Sequence, residues 1–475
     1  MTVTVFELNG QTVRAEDVDP HCTLLEWLRR SGRTGTKEGC AEGECGACAV
    51  AFVRRDADGR AYLQSVNSCL VPLPSVHGQT LVSVEGVARA SGELHPVQQA
   101  MVEQGGSQCG YCTPGFVVSL FCEYYRPDRS GYDPEAISGN LCRCTGYRPI
   151  VDVARGMQLP ADDDPWVRRL PTVPVELVPV DHSAGPYRFL RPTELGEALH
   201  LMQQHPEATL IAGGTDLMVY ANQRYQRYST LIALDALPEL KKFGWGTREI
   251  VLGAGLSLSE LEQRIHDADG LEEMGLVRQL LPLFSSRLIR NKATLGGNLI
   301  TASPIGDSPP VLLALEAELT LCGPAGLRRV PLDGFFLGYR KPALQPGEVV
   351  VSVHVPRPLA RVQRFYKASK RMLDDISTVA AAFCLDLDDG GNVSRLRIAY
   401  GGVAATPLRA HEAEQIAQGK PWNPHTLGQV LAALAAVGTP MDDHRGSAAY
   451  RRAMIGKLCE RFYAESQLGL QEAAQ

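Results

Sequence analysis

The chain has 475 residues, of which 44% are apolar and 21% charged, and a formal net charge of −6. That length exceeds what one core supports and suggests about three domains, while the acidic balance, with no Lys/Arg run against it, argues against a general nucleic-acid binder. No apolar stretch approaches a membrane span, and MTVTVFELNGQTV alternates like a strand instead of showing a basic-then-apolar leader; no membrane partner is expected, and the location is expected to be cytoplasmic.

Ten of the thirteen cysteines lie before residue 150. Without a secretion signal a disulfide framework is disfavoured, and metal ligation accounts better for the crowding. Cys22, Cys122, Cys322, Cys384 and Cys459 fall outside any spacing and read as buried free thiols acting as small apolar residues.

Residues 3–8 and 11–14 read as strands around the hairpin turn Asn9-Gly10. Thr23 can cap a helix over 24–30 that stops at Gly32. The next stretch, Gly39 to Cys48, places Cys40, Cys45 and Cys48 at Cys-x4-Cys-x2-Cys, and Cys69 follows after twenty residues. This is the plant-type spacing for a [2Fe–2S] cluster. Four thiolates converging on two irons from a short loop need small residues between them, which Gly39, Ala41, Gly43, Gly46, Ala47 and Ala49 provide. Structural zinc is the alternative, but it usually draws two separated Cys-x2–4-Cys pairs. Strands at 48–53 and 61–63 around Asp58-Gly59 complete a β-grasp, ferredoxin-like domain over residues 1–80.

Residues 81–157 read as helices. Pro96 fits the first turn of a helix running to Gln104, Thr113-Pro114 a cap-plus-first-turn pair before a helix over 115–125, and Asp133-Pro134 the same device again. Among them lie Cys109 and Cys112, then Cys142 and Cys144, each pair at a helix start or turn whose free N–H groups favour thiolate. The spacing favours a second [2Fe–2S] cluster over zinc. Two single-electron sites in series form a wire, with a donor and an acceptor required at its ends.

Residues 158–186, rich in Pro and Asp, read as an extended linker, with Asp162, Asp163 and Asp164 as a solvated charge cluster. A domain over 187–356 follows. In it a short apolar strand enters Ala212-Gly213-Gly214-Thr215-Asp216, a turn able to offer backbone N–H groups to a diphosphate, although many such turns use Gly-Gly for geometry alone. A second small-residue turn stands at Thr294-Leu295-Gly296-Gly297-Asn298, and two such loops suit a dinucleotide. Gly253-Ala254-Gly255 does not continue as G-x-G-x-x-G, which disfavours a Rossmann site. Residues 357–475 read as a smaller α+β domain, with strands at 378–387 and 393–400 and helices near 409–418, 426–436 and 446–465.

Seven segments in order carry a resemblance: GTKEGCAEGECGACAV, QCGYCTPGF, GNLCRCTGYRPI, LIAGGTDLMV, TLGGNLITASPIGDSPP, FFLGYRKPALQPGE and KASKRMLDDI. With them the chain resembles the molybdenum hydroxylase family, and within it the small subunits of bacterial xanthine dehydrogenases, over essentially its whole length. The resemblance implies a multidomain α+β fold: a β-grasp 2Fe-2S ferredoxin domain, a helical-bundle 2Fe-2S domain, an α+β FAD-binding domain of the PCMH/vanillyl-alcohol-oxidase type and a C-terminal α+β flavoprotein domain. It implies one cluster on Cys40, Cys45, Cys48 and Cys69, nearer the flavin, and another on Cys109, Cys112, Cys142 and Cys144, nearer molybdenum. It assigns FAD to Leu210, Ile211, Ala212, Gly213, Gly214, Thr215, Asp216 and Leu217, and to Thr294, Leu295, Gly296, Gly297, Asn298 and Asp307, with contacts at Phe284, Val350 and Lys367. Tyr339 and Asp374 match positions on the flavin and NAD side. The molybdopterin domain is absent from these residues, so the resemblance implies a molybdopterin-binding large subunit as partner, in a heterotetramer of two small and two large chains. That partner would oxidise xanthine or hypoxanthine to urate, with electrons passing through the two clusters to FAD and on to NAD. The alternatives are the equivalent subunit for an aldehyde or N-heteroaromatic substrate, or a non-enzymatic zinc-binding scaffold.

Overall fold

The computed structural model describes residues 3–473 except 90, 128, 269 and 271, with the backbone alone for 468–473. It divides into two compact units. One comprises Met1–Pro238, Ser257–Glu260 and Ser286–Ala293; the other comprises Glu239–Leu256, Leu261–Ser285 and Thr294–Gln475.

The first unit opens with β1 (Val3–Leu8), β2 (Gln11–Glu16), β3 (Ala49–Arg55), β4 (Ala61–Asn67) and β5 (Thr80–Val82), in the sheet order β2-β1-β5-β3-β4. Only β1 and β5 run parallel. Alternate residues of β1 face inward. There Phe6 and Leu8 join Leu24 and Leu28 of the helix Leu24–Arg30 in one core with Val50, Phe52 and Leu81. Thr23 caps that helix, its Oγ1 accepting the Glu26 N–H. Strand β4 continues past the expected 61–63 because Gln64, Ser65 and Asn67 are buried, so the apolar/polar alternation that marks a half-exposed strand is missing.

The helices Pro96–Glu103, Thr113–Tyr124 and Arg148–Gly156 follow. The middle one is buried from Gly115 to Tyr124 on every side. Its cap is Cys112, not Thr113, whose hydroxyl instead pairs with that of Ser107. Asp133 does cap the short turn Pro134–Ile137. Residues 158–186 are more than an extended linker: they hold a helical turn, Pro165–Arg169, and a strand, β6 (Val180–Ala184). Asp164 is buried, not solvated, and accepts the Trp166 and Val167 N–H groups and the Tyr125 hydroxyl. A three-Asp run hides which member points inward. Strand β6 joins β7 (Tyr187–Arg191), β8 (Thr209–Ile211) and β9 (Thr230–Ala233) in the order β6-β7-β9-β8, the last three parallel. Helices Leu195–Gln204 and Leu217–Gln223 form the crossovers.

In the second unit, β10 (Phe243–Trp245), β11 (Glu249–Gly253), β12 (Glu318–Gly323) and β13 (Gly326–Pro331) precede a small hairpin, β14 (Phe336–Gly338) and β15 (Lys341–Pro342), and then β16 (Val349–Pro356). The antiparallel order is β10-β11-β16-β12-β13. A second antiparallel sheet, β17 (Val362–Ala368), β18 (Val379–Leu387), β19 (Val393–Gly401) and β20 (Leu408–Arg409), runs in sequence order. Helices His411–Ala417, Pro424–Leu434 and Ala448–Ala473 follow, and Ala413, Val430, Ile455 and Phe462 share the core under Phe383 and Tyr400. The five unspaced cysteines are all buried. No helix among the described residues is long and apolar enough to cross a membrane.

Candidate functional site

The loop after the first helix turns on three left-handed residues, Ala41, Gly43 and Gly46. A Cβ on Gly39 would lie 2.7 Å from the Cys45 sulfur. A Cβ on Gly46 would lie 2.2 Å from the Gly139 carbonyl. Glycine at 39 therefore lets the loop close on itself, and glycine at 46 lets it meet the segment around Gly139. The first four cysteines come together as two thiol pairs, Cys40 with Cys45 and Cys48 with Cys69. The N–H groups of Glu42 and Cys45 reach the Cys40 sulfur at 3.5 and 3.4 Å. The Cys45 thiol, followed by these N–H groups and that of Glu44, draws the Cys40 thiol down against the cost of burial.

The second four pair likewise, Cys109 with Cys144 and Cys112 with Cys142. The Tyr111 N–H and the Cys144 thiol draw Cys109 down. The Thr145 N–H reaches the Cys142 sulfur at 3.4 Å. Among the described residues, no His/Cys/Asp/Glu group of three or more is gathered for a single ion. Two and two, with N–H donors aimed at sulfur, is the donor set of a two-iron cluster, two thiolates to each iron. Both quartets fit that group.

The segments that carry the two quartets are stitched together by hydrogen bonds to carbonyls of the first loop. The Leu141 N–H donates to the Cys45 carbonyl at 3.0 Å, Asn140 Nδ2 to the Gly46 carbonyl at 3.1 Å, and the Tyr111 hydroxyl to the Glu38 carbonyl. Gly115 allows the approach, since a Cβ there would stand 2.2 Å from the Gly46 carbonyl.

The Gly-Gly-Thr turn lies between β8 and the helix Leu217–Gln223. A Cβ on Gly213 would lie 1.9 Å from the Lys292 carbonyl, and Gly214 has φ +76 with the Leu70 carbonyl 3.1 Å from its Cβ position. Ile211 and Met218, flanking the turn, share a core with Cys48, Cys69 and Leu70. This places the turn beside the segment carrying two thiols of the first quartet.

In the second unit Thr294 starts the helix Leu295–Ile300 instead of closing a plain turn, its Oγ1 accepting the Gly297 N–H at 3.1 Å. Gly296 packs so tightly on Ala254 that a Cβ would lie 2.9 Å from it. Asn298 Oδ1 is buried without a hydrogen-bond partner, an acceptor facing no protein donor, as a ligand-binding loop leaves it. Lys367 Nζ donates to Asp307 Oδ2 and to the Leu283 carbonyl, both at 2.8 Å, and Ser377 donates to the other Asp307 oxygen. Phe284, half-buried, follows Leu283; next, Ser285 donates to Asp374 at 3.3 Å. Burial raises the Asp374 carboxyl, opposed by Ser285, Arg371 and Lys367. The structure thus gathers Phe284, Asp307, Lys367 and Asp374. Val350 is buried in β16 opposite Leu321, beside Val351, whose carbonyl accepts the N–H of the same Ala254 whose carbonyl accepts the Gly296 N–H, and Tyr339 stands 66% exposed between β14 and β15. Ser285 and Ser377 carry no sequence signal, because isolated polar residues with no spacing pattern do not stand out.

The sequence matches the family described as 2Fe-2S iron-sulfur cluster binding domain over residues 6–73 and the [2Fe-2S] binding domain over 83–155. It matches the FAD binding domain in molybdopterin dehydrogenase over 185–358 and the CO dehydrogenase flavoprotein C-terminal domain over 364–466. It is 33% identical to a xanthine dehydrogenase of Emericella nidulans, covering 96% of this chain and 38% of that protein. It is 34% identical to a xanthine dehydrogenase of Drosophila pseudoobscura pseudoobscura, covering 99% and 40%. The chain thus spans about two fifths of the length of these relatives. Among solved structures, carbon monoxide dehydrogenase from Hydrogenophaga pseudoflava aligns with TM-score 0.54 and 31% identity over 59% of this chain and 96% of that one. Quinoline 2-oxidoreductase from Pseudomonas putida 86 aligns with TM-score 0.55 and 25% identity over 61% and 99%. With two 2Fe-2S domains, an FAD-binding domain and a flavoprotein C-terminal domain in one sequence, the chain belongs to the molybdenum hydroxylase family.

Proposed function

We propose that this chain is the iron–sulfur and flavin subunit of a cytoplasmic xanthine dehydrogenase, paired with a molybdopterin-binding large subunit in a heterotetramer of two small and two large chains. The observation that carries the reading is the stitch between the quartets, in which the Cys45 carbonyl accepts an N–H one residue from Cys142. Similarity to xanthine dehydrogenases over 96 to 99% of the chain supports the substrate class, xanthine or hypoxanthine. When bound, the clusters supply one-electron carriage and the flavin couples it to hydride exchange with NAD.

In this reading Cys40 and Cys45 hold one iron of the first cluster and Cys48 and Cys69 the other. Cys109 with Cys144, and Cys112 with Cys142, do the same in the second. The N–H groups on Cys40 and Cys142 stabilise sulfur charge there. Leu210–Leu217 would present backbone N–H groups to the flavin diphosphate, and Thr294–Asn298, whose Leu295, Gly296, Gly297 and Asn298 N–H groups are bonded within the protein, would hold the dinucleotide through side chains such as Asn298 Oδ1, with Asp307 orienting Lys367 through their ion pair and Phe284 and Val350 as apolar contacts. Tyr339 and Asp374 act on the nicotinamide side. The domain division 1–80, 81–157, 187–356 and 357–475 belongs to the same proposal.

Likeness to carbon monoxide dehydrogenase and quinoline 2-oxidoreductase supports a second reading, the same electron-transfer part serving an aldehyde or N-heteroaromatic substrate. Co-purification with the large subunit, followed by xanthine-dependent NAD+ reduction, separates them. NADH bleaching the flavin while no purine does so would leave the second reading standing.

A further inference from the structure

Side-chain amides grip the first cysteine loop from outside. Asn222, on the last turn of Leu217–Gln223, donates both Nδ2 protons, one to the Ala41 carbonyl at 2.9 Å and one to the Cys69 carbonyl at 2.8 Å. The next residue, Gln223, donates to the Cys40 carbonyl at 2.7 Å. In a trans peptide the carbonyl and the N–H point in opposite directions. Holding the Ala41 carbonyl therefore fixes the plane of the Ala41–Glu42 peptide, whose N–H reaches the Cys40 sulfur at 3.5 Å. Ala41 has φ +57, which an alanine keeps only where its surroundings hold it. Asn67 does the same on the other side, donating to the Gly43 carbonyl at 2.7 Å, and the N–H of that peptide, from Glu44, also faces Cys40.

We propose that Asn222 is a positioning residue for the first cluster: by holding the Ala41 and Cys69 carbonyls it aims the Glu42 N–H at the Cys40 sulfur and raises the reduction potential of that cluster. The proposal rests on reading the first quartet as cluster ligands. Donors to ligand sulfur favour the reduced form, which carries the extra negative charge. The same helix begins at the Gly-Gly-Thr turn, so one element adjoins both the cluster loop and that turn.

The test is a redox titration of the loaded chain followed by electron paramagnetic resonance, in which two clusters give separate signals. Asn222→Leu should shift the reduced-to-oxidised ratio of the first cluster about tenfold toward oxidised, a fall of about 59 mV for a one-electron couple. Its g values should change, and the second cluster should stay put as internal reference. Asn222→Gln, which keeps the amide, should recover most of the shift. Should Asn222→Leu fail to take up the cluster, Asn222→Ser, which leaves a single donor, carries the same comparison. An unchanged first-cluster potential with both signals present overturns the proposal alone. Failure of the unsubstituted chain to show two [2Fe–2S] signals overturns the reading of the quartets, and the proposal with it.

Discussion

Gly213 and Gly46 have little room for change. Gly213→Ala would drive a methyl into the Lys292 carbonyl, so the variant should keep both clusters while losing flavin, seen as iron content near four per chain with the yellow absorbance gone. His95 shows a different constraint. Its Nδ1 accepts the Val97 N–H, so Nε2 carries the proton and donates to Tyr125, whose hydroxyl donates to Asp164. Burial pushes the imidazole down to about 4. An unfolded chain takes up that proton near 6.5, so the neutral ring stabilises the fold fully above that value. Stability is then lost as the pH falls from about 6.5 to 4, by on the order of 3 kcal/mol. Melting measured at pH 7 and pH 4.5 should show that loss, and His95→Gln should flatten the difference.

The helix Thr113–Tyr124 and the loop Gly39–Cys48 meet where neither has a side chain to give. Gly115→Ala should push the helix off the Gly46 carbonyl and lower stability by about 1–3 kcal/mol, read as an earlier thermal transition. The elements most legible from sequence were those whose chemistry and spacing coincide: the cysteine loop, the Asn9-Gly10 hairpin, and the helix from Thr23's cap. Strand β4 reads shorter in the sequence than Ala61–Asn67 because its buried Gln64 and Ser65 break the alternation. The turn after Asp164 does not show in the sequence, because a Pro- and Asp-rich stretch reads as linker and the Tyr125 hydroxyl that donates to Asp164 lies 39 residues away. Asn222 and Gln223 could not be found from spacing at all; their partners, Ala41 and Cys40, lie more than one hundred and eighty positions earlier.

Across the chain, the two quartets differ in how far water reaches them. Cys109 and Cys144 are exposed, whereas Cys48 and Cys69 are only 2% and 1% exposed. A chelator added to the isolated chain should therefore strip the second cluster first, its signal fading while that of the first persists; the reverse order would contradict the burial difference. The same burial bears on how the protein is made. A carrier that hands over a preformed cluster must reach all four receiving sulfurs, and no carrier can reach Cys48 or Cys69 once Leu70 and the Gly213–Gly214 turn have closed over them. The first cluster is thus expected to enter before that closure, whereas Cys109 and Cys144 leave one edge of the second quartet open to a carrier although Cys142 is buried.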